Sequence, residues 1–249
     1  MPDSDIVLTG KNINKYYVDK GKKMQALKDV SFYLKEGEIL GIVGESGSGK
    51  STLLRHISCL EKPDGGTFFY KGVEYTGKSA SFAGAFLQMI FQDAQMSFDP
   101  RMKMKKAVVE AQKNCSHDKL SGILKAVGLD ESLLEKKAGN MSGGQCQRMS
   151  IARALCSDAR ILLCDEITSA LDVTTQAQVV ALLQQLREKE GLAMIFVSHD
   201  IALVSMLCDR IMVMKNGECV EEGQTGKVLG NPQHEYTREL LDNLIELKM

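Results

Sequence analysis

The sequence has almost no excess of charge and lacks any long hydrophobic run. Its 249 residues carry 31 lysines and arginines against 32 aspartates and glutamates, a formal net charge of −1. That balance excludes the basic surface of a protein that binds duplex nucleic acid. No apolar stretch approaches the roughly 20 residues needed to cross a bilayer, and the acidic start differs from a signal peptide. We therefore expect a soluble, cytoplasmic protein with no nucleic-acid partner.

The seven cysteines lie scattered, without any paired CxxC spacing. An odd number without a framework is typical of reduced thiols rather than of disulfides or a zinc site. We expect each cysteine to be a small hydrophobic side chain in the core. Hydrophobic residues make up 44% of the chain and charged residues 25%, which is the globular average and excludes disorder or a fibre.

Short apolar runs alternate with helical stretches along most of the chain. Five of these runs predict buried strands, at residues 38–43, 86–91, 161–164, 193–197 and 210–214. Continuous apolar strands joined by helices indicate a parallel sheet that is covered on both faces. The expected fold class is therefore α/β.

Three parts of the chain break this alternation. Residues 5–37 and 65–82, approximately, are rich in aromatic, β-branched and glycine residues and predict an antiparallel layer. Residues about 93–157 have helical spacing and predict an inserted helical subdomain, and residues about 232–248 predict an amphipathic C-terminal helix. We expect all of these parts to belong to one domain, residues 1–249.

A glycine-rich run matches the phosphate-binding pattern G-x-x-x-x-G-K-[ST]. Glycine is needed there because consecutive backbone N–H groups must turn inward onto phosphate oxygens. Lys50 would supply a positive charge to the phosphates and Ser51 a hydroxyl ligand for Mg²⁺, at a helix N-terminus that favours anions. The residues assigned to nucleotide binding in this run are Gly44, Glu45, Ser46, Gly47, Ser48, Gly49, Lys50, Ser51 and Thr52.

The apolar strand at 161–164 ends in two carboxylates, Asp165 and Glu166. Adjacent negative charges at the tip of a buried strand are costly unless a cation lies beside them. Because the same chain carries a phosphate loop, we interpret that cation as the Mg²⁺ of MgATP. Asp165 would bind the metal and Glu166 would polarise the attacking water.

Further motifs, in their order along the chain, resemble those of the ATP-binding cassette (ABC) ATPases. Residues 141–145, Met-Ser-Gly-Gly-Gln, resemble the ABC signature, residues 169–172 the D-loop, and residues 198–200 the histidine switch. The resemblance covers about residues 6–225. It implies a P-loop NTPase (RecA-like) core with an antiparallel β subdomain and an inserted α-helical subdomain, and hydrolysis of ATP with Mg²⁺.

The resemblance also implies individual roles. Tyr17 would stack on adenine, and Gln92 would be the Q-loop glutamine, which binds the metal and senses the γ-phosphate. His199 would contact the γ-phosphate and hold the attacking water together with Glu166. In the family two subunits enclose two ATP molecules, so that the signature of one chain faces the phosphate loop of the other. The residues implied for that contact are Ser142, Gly143, Gly144, Gln145 and Asp172.

Three positions depart from the family pattern. Met141 replaces the usual leucine, Cys146 a frequent arginine, and Ile167 a frequent proline. None of these changes removes a phosphate ligand or the base, so we expect a catalytically competent half-site.

Two stretches narrow the resemblance to one branch. Residues 91–102 and 231–241 are similar to segments of the peptide and nickel importer ATPases, with Glu235 in place of a proline. The branch implies uptake of peptides, nickel or metal chelates at the cytoplasmic face of the cell membrane. It also implies a second ATPase subunit in a heterodimer, two membrane-spanning permease subunits and an extracytoplasmic substrate-binding protein.

The branch resemblance further implies a cleft near residues 94–104 for a coupling helix of a membrane subunit. Met96, Phe98, Met102 and Met104 would form an exposed apolar docking surface there, unless they are core residues of the insertion.

Three other functions remain open: a cassette ATPase of iron–sulfur cluster assembly, a DNA-repair or chromosome-structure ATPase, and a regulatory module without activity. The importer-type tail argues against the first of these functions. The spacing of 92 positions between Lys50 and Ser142 argues against the second, and the presence of both Glu166 and His199 argues against the third.

Overall fold

The computed structural model describes residues 5–19, 21–110, 115–157, 159–169 and 171–246. The strands are β1 (Ile6–Asp19), β2 (Lys22–Lys35), β3 (Ile39–Val43), β4 (Gly65–Tyr70), β5 (Val73–Glu74), β6 (Leu87–Ile90), β7 (Ile161–Asp165), β8 (Ala193–Val197), β9 (Arg210–Lys215) and β10 (Glu218–Gln224). The helices are α1 (Lys50–Ile57), α2 (Ala80–Ala83), α3 (Met104–Val109), α4 (His117–Ala126), α5 (Gly143–Cys156), α6 (Val173–Glu190), α7 (Ile201–Leu207), α8 (Thr225–Gly230) and α9 (Glu235–Glu246).

Six strands form the central sheet, in the order β10-β9-β3-β8-β7-β6. The pairs from β9 to β6 are parallel, and β10 is antiparallel to β9. Strands β3, β7 and β8 are buried at every residue, because helices or the second sheet cover both faces. The predicted α/β class is confirmed, and the five predicted strands are β3, β6, β7, β8 and β9.

A second sheet has the order β2-β1-β4-β5 and is antiparallel throughout. The predicted antiparallel layer was too long at its second segment, since strand pairing ends at Glu74. Gly77 then takes a left-handed backbone conformation with φ of +71°, which ends the extended chain. The short helix α2 follows within the segment that was predicted as strand.

The chain between β6 and β7 contains α3, α4 and α5, together with short 3-10 turns at Glu131–Glu135 and Ala138–Asn140. Met104 and Phe98 are buried in the core of this helical part, at 0% and 3% exposure, whereas Met96 is 81% exposed. The predicted docking surface is therefore wrong in these two members, because the helices use them to bury their own apolar faces.

Helix α9 lies within the predicted C-terminal helix, of which residues 247–248 fall outside the described part of the chain. Its residue Tyr236 is buried with the main core. Among the described helices, none combines the length and the apolar character that a membrane crossing requires.

The topology determines where functional loops can meet. Strands β3, β6, β7 and β8 run parallel, so their carboxyl ends lie at one edge of the sheet, where ligands bind in open α/β folds. The phosphate loop follows β3, Gln92 follows β6, the acidic pair ends β7, and His199 follows β8.

Candidate functional site

The loop between β3 and α1 requires glycine at both of its ends. Gly44 has φ of +149°, and a Cβ atom there would lie 2.2 Å from the backbone oxygen of Met214. Gly49 has φ of +106°, and a Cβ atom there would lie 2.7 Å from the backbone oxygen of Ala26. The loop is therefore pressed against the neighbouring backbone at its start and its end, with the remaining predicted loop residues between them.

Lys50 is buried at the first position of α1 and points back into the loop. Its Nζ donates to the backbone oxygens of Gly44 (2.7 Å) and Glu45 (2.8 Å). Burial lowers the pKa of this amine, an effect opposed by the carboxylates of Glu166 and Asp165. The loop thus holds a positive charge against its own backbone, where a phosphate oxygen could replace a carbonyl as its partner.

Ser51 and Asp165 meet between the phosphate loop and the end of β7. The Ser51 Oγ donates to Asp165 Oδ1 at 2.9 Å. Burial raises the pKa of Asp165, and the neighbouring Glu166 raises it further. A hydroxyl and a buried carboxylate are the hard oxygen ligands that Mg²⁺ prefers, and a cation would relieve the cost of burying this charge. These two residues therefore fit the predicted metal site.

Glu166 is the point on which the predicted catalytic side chains converge. Gln92 donates from Nε2 to Glu166 Oε2 at 3.3 Å, and His199 Nδ1 lies 3.7 Å from the same oxygen. The three residues come from the ends of different strands and meet at a single carboxylate oxygen. The amide nitrogen of Gln92 faces this carboxylate, and its assignment as a metal ligand stays a prediction.

The backbone of Glu166 is held in an unusual conformation, with φ of +48°. This left-handed geometry costs a non-glycine residue about 1–3 kcal/mol. Its N–H donates to the Val197 oxygen (3.0 Å), and its oxygen accepts from the N–H (3.1 Å) and Oγ (2.9 Å) of Ser169. Ser169 also accepts from Gln92 Nε2 at 3.2 Å. This one serine therefore contacts both Glu166 and Gln92, the two side chains predicted to lie beside the attacking water.

Sequence reasoning missed this role of Ser169, which entered only as part of a loop motif. A serine three residues after the candidate base is the signal that could have indicated a local turn.

Tyr17 lies on β1 beside the first turn of α1. Its hydroxyl donates to Glu61 Oε2 at 2.7 Å and is close enough to Thr52 for a side-chain hydrogen bond. Lys15 holds the other oxygen of Glu61 at 2.9 Å. Burial, and then Glu61, raise the pKa of Tyr17. The phenol ring is thereby fixed next to the phosphate loop through Glu61, a residue that the sequence motifs did not indicate.

The signature-like segment forms the start of α5. Ser142 caps this helix, accepting from the N–H of Gln145 (3.2 Å), while its own N–H donates to the Gln145 side chain at 3.1 Å. Ser142 and Gly143 are exposed, and the dipole of a 14-residue helix favours an anion at this end. The contacts described for Ser142 are within its own helix rather than with the phosphate loop of the same chain.

A second helix start lies against the first. A Cβ atom on Gly144 would approach Thr175 Cγ2 to 2.7 Å, so only glycine allows this spacing without a shift. Asp172 caps α6 by accepting from the N–H of Thr175 at 2.9 Å. The predicted D-loop segment thus neighbours the signature segment, although Ala170 within it lies outside the described residues.

Known transport proteins resemble this chain in sequence and in structure. A protein-family model described as ABC transporter matches residues 27–169, more than half of the chain. The oligopeptide transport ATP-binding protein OppF of Salmonella typhimurium is 41% identical over 88% of this chain and 69% of its own length. The dipeptide transport ATP-binding protein DppF of Haemophilus influenzae is 36% identical over 94% and 77%. The methionine import ATP-binding protein MetN of Streptococcus thermophilus is 38% identical over 96% and 70%.

Solved structures with the same fold include ATP-binding cassettes. The dimeric cassette MJ0796, in a post-hydrolysis state bound to ADP and Pi, superposes with a TM-score of 0.79 and 31% identity, covering 88% of this chain and 98% of that one. The cassette cbiO1 of Clostridium perfringens, part of a transporter complex, gives a TM-score of 0.79 with 26% identity, over 98% and 97%.

Proposed function

This chain belongs to the ABC transporter family and is an ATPase that uses ATP and Mg²⁺, and from this membership we propose that it is the ATP-hydrolysing subunit of a peptide importer. The observation that carries the catalytic part is the convergence of Gln92 and His199 on the carboxylate of Glu166, beside the phosphate loop. We favour peptides over nickel or metal chelates because OppF and DppF are peptide transport proteins. The motif strings at 91–102 and 231–241 support the same branch.

In the proposed reaction, Lys50 and the loop amides bind the β- and γ-phosphates of ATP. Ser51 and Asp165 hold Mg²⁺, which when bound neutralises charge on the phosphate oxygens. Glu166 accepts a proton from the attacking water, and His199 and Gln92 hold that water in line through their contacts with the same carboxylate. Ser169 keeps the carboxylate pointed at the water by fixing the backbone of Glu166.

The second half of the proposed site comes from another chain. Ser142 and Gly143 are exposed at the start of α5, where backbone N–H groups are available to an anion. We propose that they contact the γ-phosphate bound by a second ATPase subunit, as the dimeric arrangement of MJ0796 supports. The proposed assembly adds two membrane-spanning permease subunits and an extracytoplasmic binding protein, with this chain at the cytoplasmic face of the membrane.

A cleft of about 370 Å³ between the core and the helical part is suited to a permease segment. Leu60 and Phe91 expose apolar surface in it, at 54% and 36%, and Ala107 and Arg153 line its helical side. Arg153 also donates to the backbone oxygen of Ser97 at 2.9 Å. The cleft is thus connected to the segment after Gln92, which gives a permease helix seated there a path to the nucleotide.

Replacing Leu60 with aspartate should prevent assembly with the permeases. Burying an unpaired polar group costs about 1–3 kcal/mol, and an ionised carboxylate costs more, so the affinity for the permease pair should fall at least about fivefold. ATP affinity should not change, because Leu60 is outside the phosphate loop. The measurement is co-purification with the membrane subunits and second ATPase encoded by neighbouring genes, with and without ATP.

The matched control for that experiment is Met206→Asp, which places the same charge on an exposed apolar residue of α7. Retention of the permeases by Leu60→Asp, or their equal loss in both variants, would contradict the docking site. Failure of the unsubstituted chain to capture any membrane subunit would contradict the importer proposal itself.

Replacing Tyr17 with alanine should weaken ATP binding without changing turnover at saturating ATP. Loss of base–aromatic stacking costs about 1–3 kcal/mol, so the KM for ATP should rise about fivefold to 100-fold while kcat is retained. Tyr16→Ala is the control, since successive residues of β1 face opposite sides of the sheet and Lys23 lies over the Tyr16 ring at 4.0 Å. A fall in kcat alone for Tyr17→Ala would show that the ring does not bind adenine.

A further inference from the structure

The C-terminal helix reaches the phosphate loop directly. Tyr236, in the first turn of α9, is only 2% exposed, and its phenol oxygen accepts a hydrogen bond from the N–H of Glu45 at 3.0 Å. The two residues are separated by 191 positions in the sequence. Glu45 is within residues 27–169, which the family model matches, whereas Tyr236 lies 67 positions beyond them.

The same peptide group is held from its other side by Lys50. The N–H of Glu45 and the C=O of Gly44 belong to one planar peptide unit. Tyr236 accepts from the N–H, and the C=O accepts from Lys50 Nζ at 2.7 Å. Because a trans peptide points these groups in opposite directions, the phenol fixes the plane whose oxygen orients the lysine amine.

Tyr236 is itself held in place by neighbouring charges. Lys215 Nζ lies 4.2 Å from the centre of its ring, which is within cation–π range. Glu221 anchors the approach to α9 by accepting from the N–H groups of Gln233 (2.8 Å) and His234 (3.0 Å). Burial raises the pKa of the Tyr236 hydroxyl, so the group stays a neutral phenol at physiological pH.

The start of the phosphate loop also packs closely against β9. The backbone oxygen of Met214 on β9 lies where a side chain of Gly44 would be. Strand β9 therefore contacts the loop at Gly44, and helix α9 contacts it at the adjoining Gly44–Glu45 peptide. Close packing transmits small displacements. Loss of the phenol contact therefore allows the Gly44–Glu45 peptide to rotate and the lysine amine to follow it.

We propose that Tyr236 is a positioning residue of the ATP site, which acts through the Gly44–Glu45 peptide on Lys50 and makes the C-terminal helix part of the nucleotide-binding machinery. This proposal rests on the proposed assignment of the phosphate loop to ATP. It predicts that the phenol oxygen contributes to the affinity for ATP and not to the chemical step, since it reaches neither Glu166 nor the attacking water.

The test is Tyr236→Phe, which keeps the ring and its packing and removes only the acceptor. A hydrogen bond of this kind changes an equilibrium about twofold to tenfold, so the KM and Kd for ATP should rise by that factor with kcat at saturating ATP retained. The control is Tyr75→Phe, because Tyr75 is fully buried and donates to the Ile57 oxygen at the far end of α1 (3.2 Å). It loses one buried phenol contact without touching the loop.

Both variants should lose similar thermal stability, and only Tyr236→Phe should lose ATP affinity. Equal ATP affinity in the two variants would overturn the positioning role. If Tyr236→Phe does not fold, Glu221→Ala is the second variant, because it removes the acceptor of the Gln233 and His234 N–H groups and lets the start of α9 move the phenol away from Glu45. An unchanged ATP affinity in that variant would also overturn the proposal. Lys50→Ala measured alongside separates the premises, since unchanged binding in that variant contradicts the loop assignment itself.

Discussion

Replacing Glu166 with glutamine is expected to lower the rate of ATP hydrolysis by a factor of about 10²–10⁴, the usual contribution of a general base. Glutamine preserves the size of the side chain and an oxygen that can accept from Gln92, but it cannot take a proton from water. ATP affinity should be retained, because Lys50, Ser51 and the loop amides are untouched. The rate is measured as phosphate release by the assembled transporter, and the affinity by equilibrium titration.

The retained affinity has a second consequence for this variant. If ATP bridges two chains and hydrolysis removes the bridge, Glu166→Gln should accumulate the closed dimer in the presence of ATP. Size-exclusion chromatography with and without nucleotide detects that species. Glu188→Gln is the matched control, since Glu188 is an exposed carboxylate on α6. Turnover near the unsubstituted rate in Glu166→Gln would exclude the carboxylate as the base.

The sheet could be predicted from short-range patterns, whereas the roles of the catalytic residues were implied by the motif resemblance, and one topological rule explains why those residues meet. The runs 161–164 and 193–197 are fully apolar, as only strands buried on both faces are. Parallel strands bring their carboxyl ends together, so residues after β6, β7 and β8 had to lie near the loop after β3. The meeting of Gln92 and His199 at Glu166 is what this rule predicts.

The contacts that support the site could not be predicted, because they depend on which distant surfaces pack together. Glu61 holds Tyr17 from 44 positions away and Tyr236 holds Glu45 from 191, and no periodicity connects such pairs. The amphipathic pattern of 232–248 predicted the helix and its packing but carried no information on a buried phenol oxygen.

The error in the docking surface has a related cause. Composition cannot distinguish apolar residues that cover a helix core from those that await a partner. The guanidinium carbon of Arg153 lies 4.3 Å from the centre of the Phe98 ring, and Met104 is fully buried. The exposed apolar residues Leu60 and Phe91 instead stand at the ends of α1 and β6, where the sequence pattern of a core element gives no sign of exposure.

Replacing Lys50 with alanine should reduce ATP affinity by about tenfold to 100-fold or more. A charge-assisted hydrogen bond contributes about 1.5–3 kcal/mol, and the amine also offsets the carboxylates of Asp165 and Glu166. Without it these two charges would repel the triphosphate, and the Gly44 and Glu45 oxygens would lose a donor. Equilibrium titration with ATP and Mg²⁺ gives the change in Kd.

Lys189→Ala is the control for that variant, because Lys189 is an exposed lysine in the last turn of α6 and its loss makes the same change in net charge. ATP affinity should be equal in the control and the unsubstituted chain. Because burial lowers the pKa of Lys50, ATP affinity should also fall as pH rises through that lowered value, where the amine loses its proton. The Lys50→Ala variant should show no such fall. An equal pH dependence of ATP affinity in Lys50→Ala and in the unsubstituted chain would mean that another titrating group is responsible.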